Sequence, residues 1–339
     1  MLALSVCAQA QPAAATAPLD LALIAANDTW GDDQKTAVSQ YLQSHVNRML
    51  AGEEPAIQQG RDGIMKPFQT AGVSESFIRQ YCQAVAHELK PAMESPTLQV
   101  RVNAMLICGR LPNDAALEPI TTGIQDKNAG VRYLAAIALT RLIAQDLIQD
   151  EPLNQILGTV GQQLAVEESS HVASPLFKVL VDASAFDTLL ATLNTRLSWH
   201  VEHPAVGFSP EAQALQDTYT KFFSGAGTPS QCKALARASV RYMRLAAQQL
   251  AAESVNDPAS NVATLRVTQT ALAFLRERFK SSEREPSGFT GALAAKKWDK
   301  IIKIADRWSD LLQAAPIGMD PAQLQITPVT AEQAESNAQ

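Results

Sequence analysis

"GVRYLAAIALTRL", residues 130–142, decides how this chain is read. Val131, Leu134, Ala135, Ala138, Leu139 and Leu142 fall at i, i+3, i+4, i+7, i+8 and i+11, which is one continuous apolar face of an α-helix. Three alanines on or beside that face leave room for a neighbouring helix to come close. Arg132 heads the run, where a guanidinium fork can reach back to the turn before the helix. Six residues earlier stands Asp126, a residue type that accepts hydrogen bonds from the exposed N–H groups of a helix start.

The pattern has a second copy 31 residues upstream. "QVRVNAMLICGRL", residues 99–111, aligns Val100 with Val131, Arg101 with Arg132, Ala104 with Ala135, Arg110 with Arg141 and Leu111 with Leu142. Here Ser95, with Glu94 beside it, occupies the place of the turn Asp. A third run, "HVASPLFKVLVDA" (171–183), keeps Val172 and the apolar stripe but has Ala173 in place of the Arg. "DKNAGVRYLAAIAL" resembles the second-helix signature of HEAT and HEAT-like repeats. That resemblance spans about residues 95–182. It implies an α-solenoid of stacked helical hairpins, with Asp126, Arg132 and Arg101 as ladder residues bracing successive units. The other reading is an ordinary amphipathic helix pair within a non-repeating bundle.

The periodicity extends along most of the chain. It predicts helices over 33–51, 54–71, 74–93, 97–111, 114–125, 129–146, 151–166, 171–181, 184–200, 210–224, 229–253, 259–280 and 290–314. Gly, Pro, Asn and Asp punctuate the breaks, and no alternating strand pattern is present. The chain has 339 residues with 46% apolar and 18% charged, so the expected class is a folded all-α protein. The expected organisation is a signal-like segment and linker (1–19), N-terminal helices (20–94), HEAT-like repeats (95–200), a basic helical region (205–315) and a disordered tail (316–339). A stack needs several units with capped ends, so the flanking helices must supply divergent ones.

Residues 1–10, "MLALSVCAQA", carry a short apolar stretch closed by Ala8-Gln9-Ala10, a pattern that signal peptidase accepts. The expected compartment is therefore the periplasm or cell envelope, with a cytoplasmic protein as the alternative. Cys7, Cys82, Cys108 and Cys232 form no CxxC spacing, and the last three are expected as small buried residues.

Catalytic motifs do not emerge. His200 and His203 in "WHVEHP" have i, i+3 spacing, not that of a zincin helix, and read as a solvated helix end with cations near its C-terminus. Phosphate-binding loops and nucleophile elbows are missing. No cofactor or metal is expected. Charge is unevenly spread. Residues 1–220 hold 13 basic and 23 acidic residues, whereas 221–308 hold 15 and 7. In the latter segment Lys233, Arg237, Arg241 and Arg244 form one helical stripe and Lys296, Lys300, Lys303 and Arg307 a second, with Trp298 and Trp308 on the face opposite the second. These stripes are either solvated faces or a surface for an anionic polymer. The leading expectation is a non-catalytic scaffold for a protein or peptide partner. An enzyme with an unrecognised site is the remaining alternative.

Overall fold

In the computed structural model, residues 29–148 and 150–325 are described, and every regular element among them is helical. The signal-like segment 1–19 and the end of the tail, 326–339, lie outside the described residues. The chain divides into two compact units, Met1–Pro119 and Ile120–Gln339.

The first unit contains α1 (Asp32–Leu50), α2 (Glu54–Met65), α3 (Glu75–Glu88), α4 (Lys90–Met93) and α5 (Leu98–Cys108). Val38, Leu42, Val46 and Met49 of α1 turn inward at helical spacing and pack on α2. Gly60 permits that packing. A Cβ on it would stand 2.5 Å from the carbonyl oxygen of His45 on α1. Tyr81 of α3 is fully buried, and its hydroxyl donates to the Ile64 carbonyl at the end of α2 (2.8 Å). The sequence predicts single helices over 54–71 and 74–93. Each instead ends in a separate short turn, Lys66–Gln69 and α4.

α6 (Leu117–Ile124) carries the boundary between the units. The second unit continues with α7 (Ala129–Ala144), α8 (Asp150–Val166), α9 (Ser170–Asp182), α10 (Phe186–Glu202), α11 (Ser209–Phe223), α12 (Pro229–Ala251), α13 (Pro258–Arg278), α14 (Phe289–Ala294) and α15 (Trp298–Gln313). These helices sort into two layers. α7, α9, α11 and α13 pack side by side in that order, and α8, α10, α12 and α15 do the same. The longest contact between layers is α12 against α13. This is helix-on-helix architecture with the core between the layers. Fully buried side chains such as Val131, Leu139, Val160, Leu176, Leu193, Tyr242 and Trp308 fill that core.

Helix ends carry recognisable caps. Asp126 accepts from the Asn128 N–H (2.7 Å), and Asn128 from the Gly130 N–H (2.9 Å), so two residues in series fix the entry to α7. Thr228 and Gln231 exchange hydrogen bonds as a capping box at the start of α12. Two sequence expectations need correction here. The helix over 290–314 is broken at residues 295–297, where Lys296 adopts a left-handed φ of 52° and the Lys297 N–H returns to the Ala292 carbonyl. Nor is the tail disordered from residue 316. Ile317, Met319 and Leu324 are buried, the Met319 N–H bonds the Leu312 carbonyl, and Pro321–Leu324 form a 3-10 turn against α12. Three apolar side chains spaced along "IGMDPAQL" supply enough buried surface to hold an otherwise polar segment.

Candidate functional site

Arg132 leads into a chain of buried polar groups. Its Nη1 donates to the carbonyl of Asp126 (2.8 Å), while Nε and Nη2 clamp both carboxylate oxygens of Glu167 (2.7 and 2.8 Å). Arg101 makes the matching local contact, with Nη1 on the carbonyl of Ser95 six residues before it (2.8 Å). Arg132 therefore reads the backbone of its turn, and the Asp126 carboxylate shapes that turn. The charge partner is Glu167, 35 residues on.

Glu167 stands six residues before Ala173, the position equivalent to Asp126 in the third run, and its carboxylate accepts from the Ser169 N–H (3.0 Å) just as Asp126 accepts from Asn128. The arginine missing at Ala173 is replaced from elsewhere. Arg196 of α10 places Nη1 on the Glu167 carbonyl and Nε on the Glu211 carboxylate (2.8 Å). Arg132 and Arg196 thus perform the same pair of tasks, each holding one turn carbonyl and one carboxylate further along the chain.

Glu211, in the first turn of α11, also meets Nε2 of His200 (3.0 Å). Glu211 and His200 have no exposed surface and Arg196 is 2% exposed. His200 is therefore not a solvated helix end. It packs on Phe208 at 4.3 Å and is drawn inward by the carboxylate, while His203 three residues on is exposed and stacks on Trp199. The Arg196 guanidinium lies 4.2 Å over the same indole. Burial alone pushes the Glu211 carboxyl up, but the His200 and Arg196 charges beside it more than offset this and hold it at about 2. Glu167 shows the same balance, burial against the Arg132 fork and the Ser169 and Gln163 donors, and is lowered. The polar chain continues from the His200 carbonyl through Gln249 to Asn261 on α13.

This constellation contains a histidine, two glutamates and two arginines, and its ion pairs link α7, α10 and α11 within the core, while His200 Nδ1 and Glu211 Oε2 are buried there without a partner. Among the described residues no three His, Cys, Asp or Glu side chains converge as a metal cluster. Cys82, Cys108 and Cys232 are buried and free. Burial pushes the first two thiols up to about 12 and raises the third, so none is a ready thiolate.

A surface cleft of about 690 Å3 lies across α7, α9 and α11. Tyr133 and Ile137 line it from α7 with 42% and 45% of their surface exposed. Pro175, inside α9, adds an apolar wall and has no N–H to offer the His171 carbonyl one turn earlier. Ser174, Lys178, Gln213 and Asp217 form a polar rim. In the same layer Phe223 of α11 is 68% exposed and meets Phe274 of α13 at 5.5 Å, with Tyr219 beside both.

The two basic stripes have different fates. Lys233, Arg237, Arg241 and Arg244 lie half-buried along one edge of α12. Arg244 pairs with Asp306 of α15 (2.6 Å) and Arg241 donates to Asn194 of α10 (2.9 Å). In the second stripe Lys296 lies outside α15, in the turn before it. Lys296, Lys300 and Lys303 share a cleft of about 550 Å3 with Trp298, while Arg307 borders a separate one with Glu283 and Asp310. Trp298 accordingly stands among the lysines instead of opposite them. Trp298 is half-buried there. Trp308 is buried, and its Nε1 donates to Gln269 (3.0 Å).

No protein family, curated protein or solved structure matches the chain. Among the described residues no helix is long and apolar enough to cross a membrane.

Proposed function

We propose that this chain is a non-catalytic helical scaffold, with HEAT-like α-solenoid repeats over residues 95–200, that binds a protein or peptide partner in the periplasm or cell envelope. The observation that carries this reading is the cleft across α7, α9 and α11. It combines an exposed Tyr and Ile with a proline wall and a polar rim, the arrangement of apolar centre and wetted edge that protein interfaces use. The polar chain beneath it supports the reading, because a fixed spacing between α7, α9 and α11 presents a preformed surface at little ordering cost. The likeness to HEAT repeats supports it through the common geometry of Arg101 and Arg132 at their turns.

A photo-crosslinking amino acid placed at position 137 tests the proposal in envelope extract, with one at exposed Gln248 on α12 as the control. A discrete adduct formed from position 137, lost when Tyr133→Ala is added, and not formed from 248 supports the cleft. Equal or no crosslinking from both positions contradicts it. Sequencing the N-terminus of the mature protein tests the compartment. A start just after Ala10 fits export, and an intact leader argues for the cytoplasm.

A further inference from the structure

The α12 edge holds a charge arrangement that neither the scaffold reading nor the polar chain uses. Four cations follow one another by helical turns, and only the last is neutralised. Arg244 has Asp306. Arg241 has Asn194, a neutral acceptor that orients the guanidinium without offsetting its charge. Arg237 makes no hydrogen bond or ion pair among the described residues, and neither does Lys233. The Nε atoms of both Arg237 and Arg241 are buried with no acceptor. On the flanking helices, Asp187 of α10 accepts from Gln231 and Asp306 of α15 pairs with Arg244.

Such a pair is costly as it stands. Like charges at i, i+4 oppose helix formation. An unsatisfied buried donor is destabilising, more so when charged. Burial and the Arg237 charge together pull the Arg241 guanidinium below its ordinary range, the electrostatic sign of a cation without a counter-charge. α12 buries its opposite face through Leu235, Ser239, Tyr242 and Ala246. The Nε atoms are covered by protein, so an anion from solvent would meet these two guanidinium groups on their Nη side, where one multivalent acceptor offsets the repulsion between them. Guanidinium forks match tetrahedral oxyanions in a bidentate manner, and Lys233 one turn earlier adds a third charge. Three cations balance a phosphate dianion better than a monovalent carboxylate.

We propose that Arg237 and Arg241, with Lys233, form a binding site for a phosphate group on the edge of α12 between α10 and α15. Asn194 is a positioning residue that holds Arg241 open toward the anion. The phosphate is either free or carried at the end of a larger molecule. The site lies in the other helical layer from the α7–α9–α11 cleft, so the two proposals stand or fall separately.

The test is a titration of the full chain with inorganic phosphate, followed through the arginine Nε–H resonances by 15N NMR at constant ionic strength. Acetate is the control, and a short polyphosphate represents the carried group. Saturable shifts of the Arg237 and Arg241 signals with phosphate, and none with acetate, are expected. The Arg237→Gln/Arg241→Gln variant should bind at least tenfold more weakly and, without phosphate, melt no lower than wild type, because the unrelieved repulsion is gone. Tighter binding of polyphosphate, lost in the same variant, assigns the site to a carried phosphate, and equal or weaker binding assigns it to the free ion. No saturable shift, equal response to acetate, or unchanged affinity in the variant overturns the proposal. So does a variant that melts well below wild type without phosphate, which would give the arginines a structural role.

Discussion

Arg132 bonds the Asp126 carbonyl and the Glu167 carboxylate, and Arg196 bonds the Glu167 carbonyl and the Glu211 carboxylate, in one buried series within the second unit. Breaking a buried pair leaves the remaining charge stranded, at a cost of about 3–5 kcal/mol. Glu211→Ala should lose that much in urea unfolding, and Arg196→Met combined with Glu211→Leu should recover most of it, because an apolar pair strands nothing. Acid should act on the same bond. Folded Glu211 titrates at about 2, below its ordinary 4.5, so between these values the unfolded chain binds more protons than the folded one. The stabilisation is complete above about pH 4.5 and is lost as the pH falls toward 2. It amounts to roughly 3 kcal/mol from a shift of this size. Glu167 contributes with the same sign. The apolar double variant should show a shallower fall of the urea midpoint over that window than wild type. Of these residues the sequence disclosed Arg132, Arg101 and Asp126, through a local spacing of six. Glu167, Arg196, His200 and Glu211 stayed hidden because their contacts join residues 11 to 35 apart across different helices, where spacing carries no signal. The one available hint was Glu167 six residues before Ala173.

Helix positions were readable from the 3.6-residue period because packing on one face demands it. Helix ends were less so. Asp146, Ser184, Glu253, Lys280 and Lys296 each adopt a left-handed φ near 50–56°, and after each one the next N–H bonds the carbonyl five residues back. This is the Schellman closure usually made by glycine. Five helices stop this way without the residue that announces a stop, so "LAAKKWDK" read as continuous. Each non-glycine residue there bears roughly 1–2 kcal/mol of strain. Lys280→Gly and Glu253→Gly should each raise stability by about 0.5–1 kcal/mol after glycine's own entropy cost, measured by thermal or urea midpoint. Loss of stability in both would contradict the strain. The helical glycines give the converse pair. Gly60→Ala drives a methyl into the His45 carbonyl and should cost about 1–3 kcal/mol. Gly158→Ala in α8 meets nothing within 4 Å and should add about 0.5–1 kcal/mol.

At the scale of the molecule, the all-helical class follows from composition and period, and the layered order of α7 to α15 from short connections between amphipathic helices. The sequence alone does not disclose that a continuous polar chain runs through the second unit from Asp126 to Asn261, tying both layers together. That chain distinguishes a braced stack from helices held only by apolar contact, and it underlies the preformed cleft proposed as the binding surface. Hydrogen exchange on the full-length Glu211→Ala variant tests it most directly. If the chain braces the layers, amide protection should fall together in α9, α10, α11 and α12, on both sides of the deleted carboxylate. Loss confined to the first turn of α11, with α9, α10 and α12 protected as in wild type, would contradict the account.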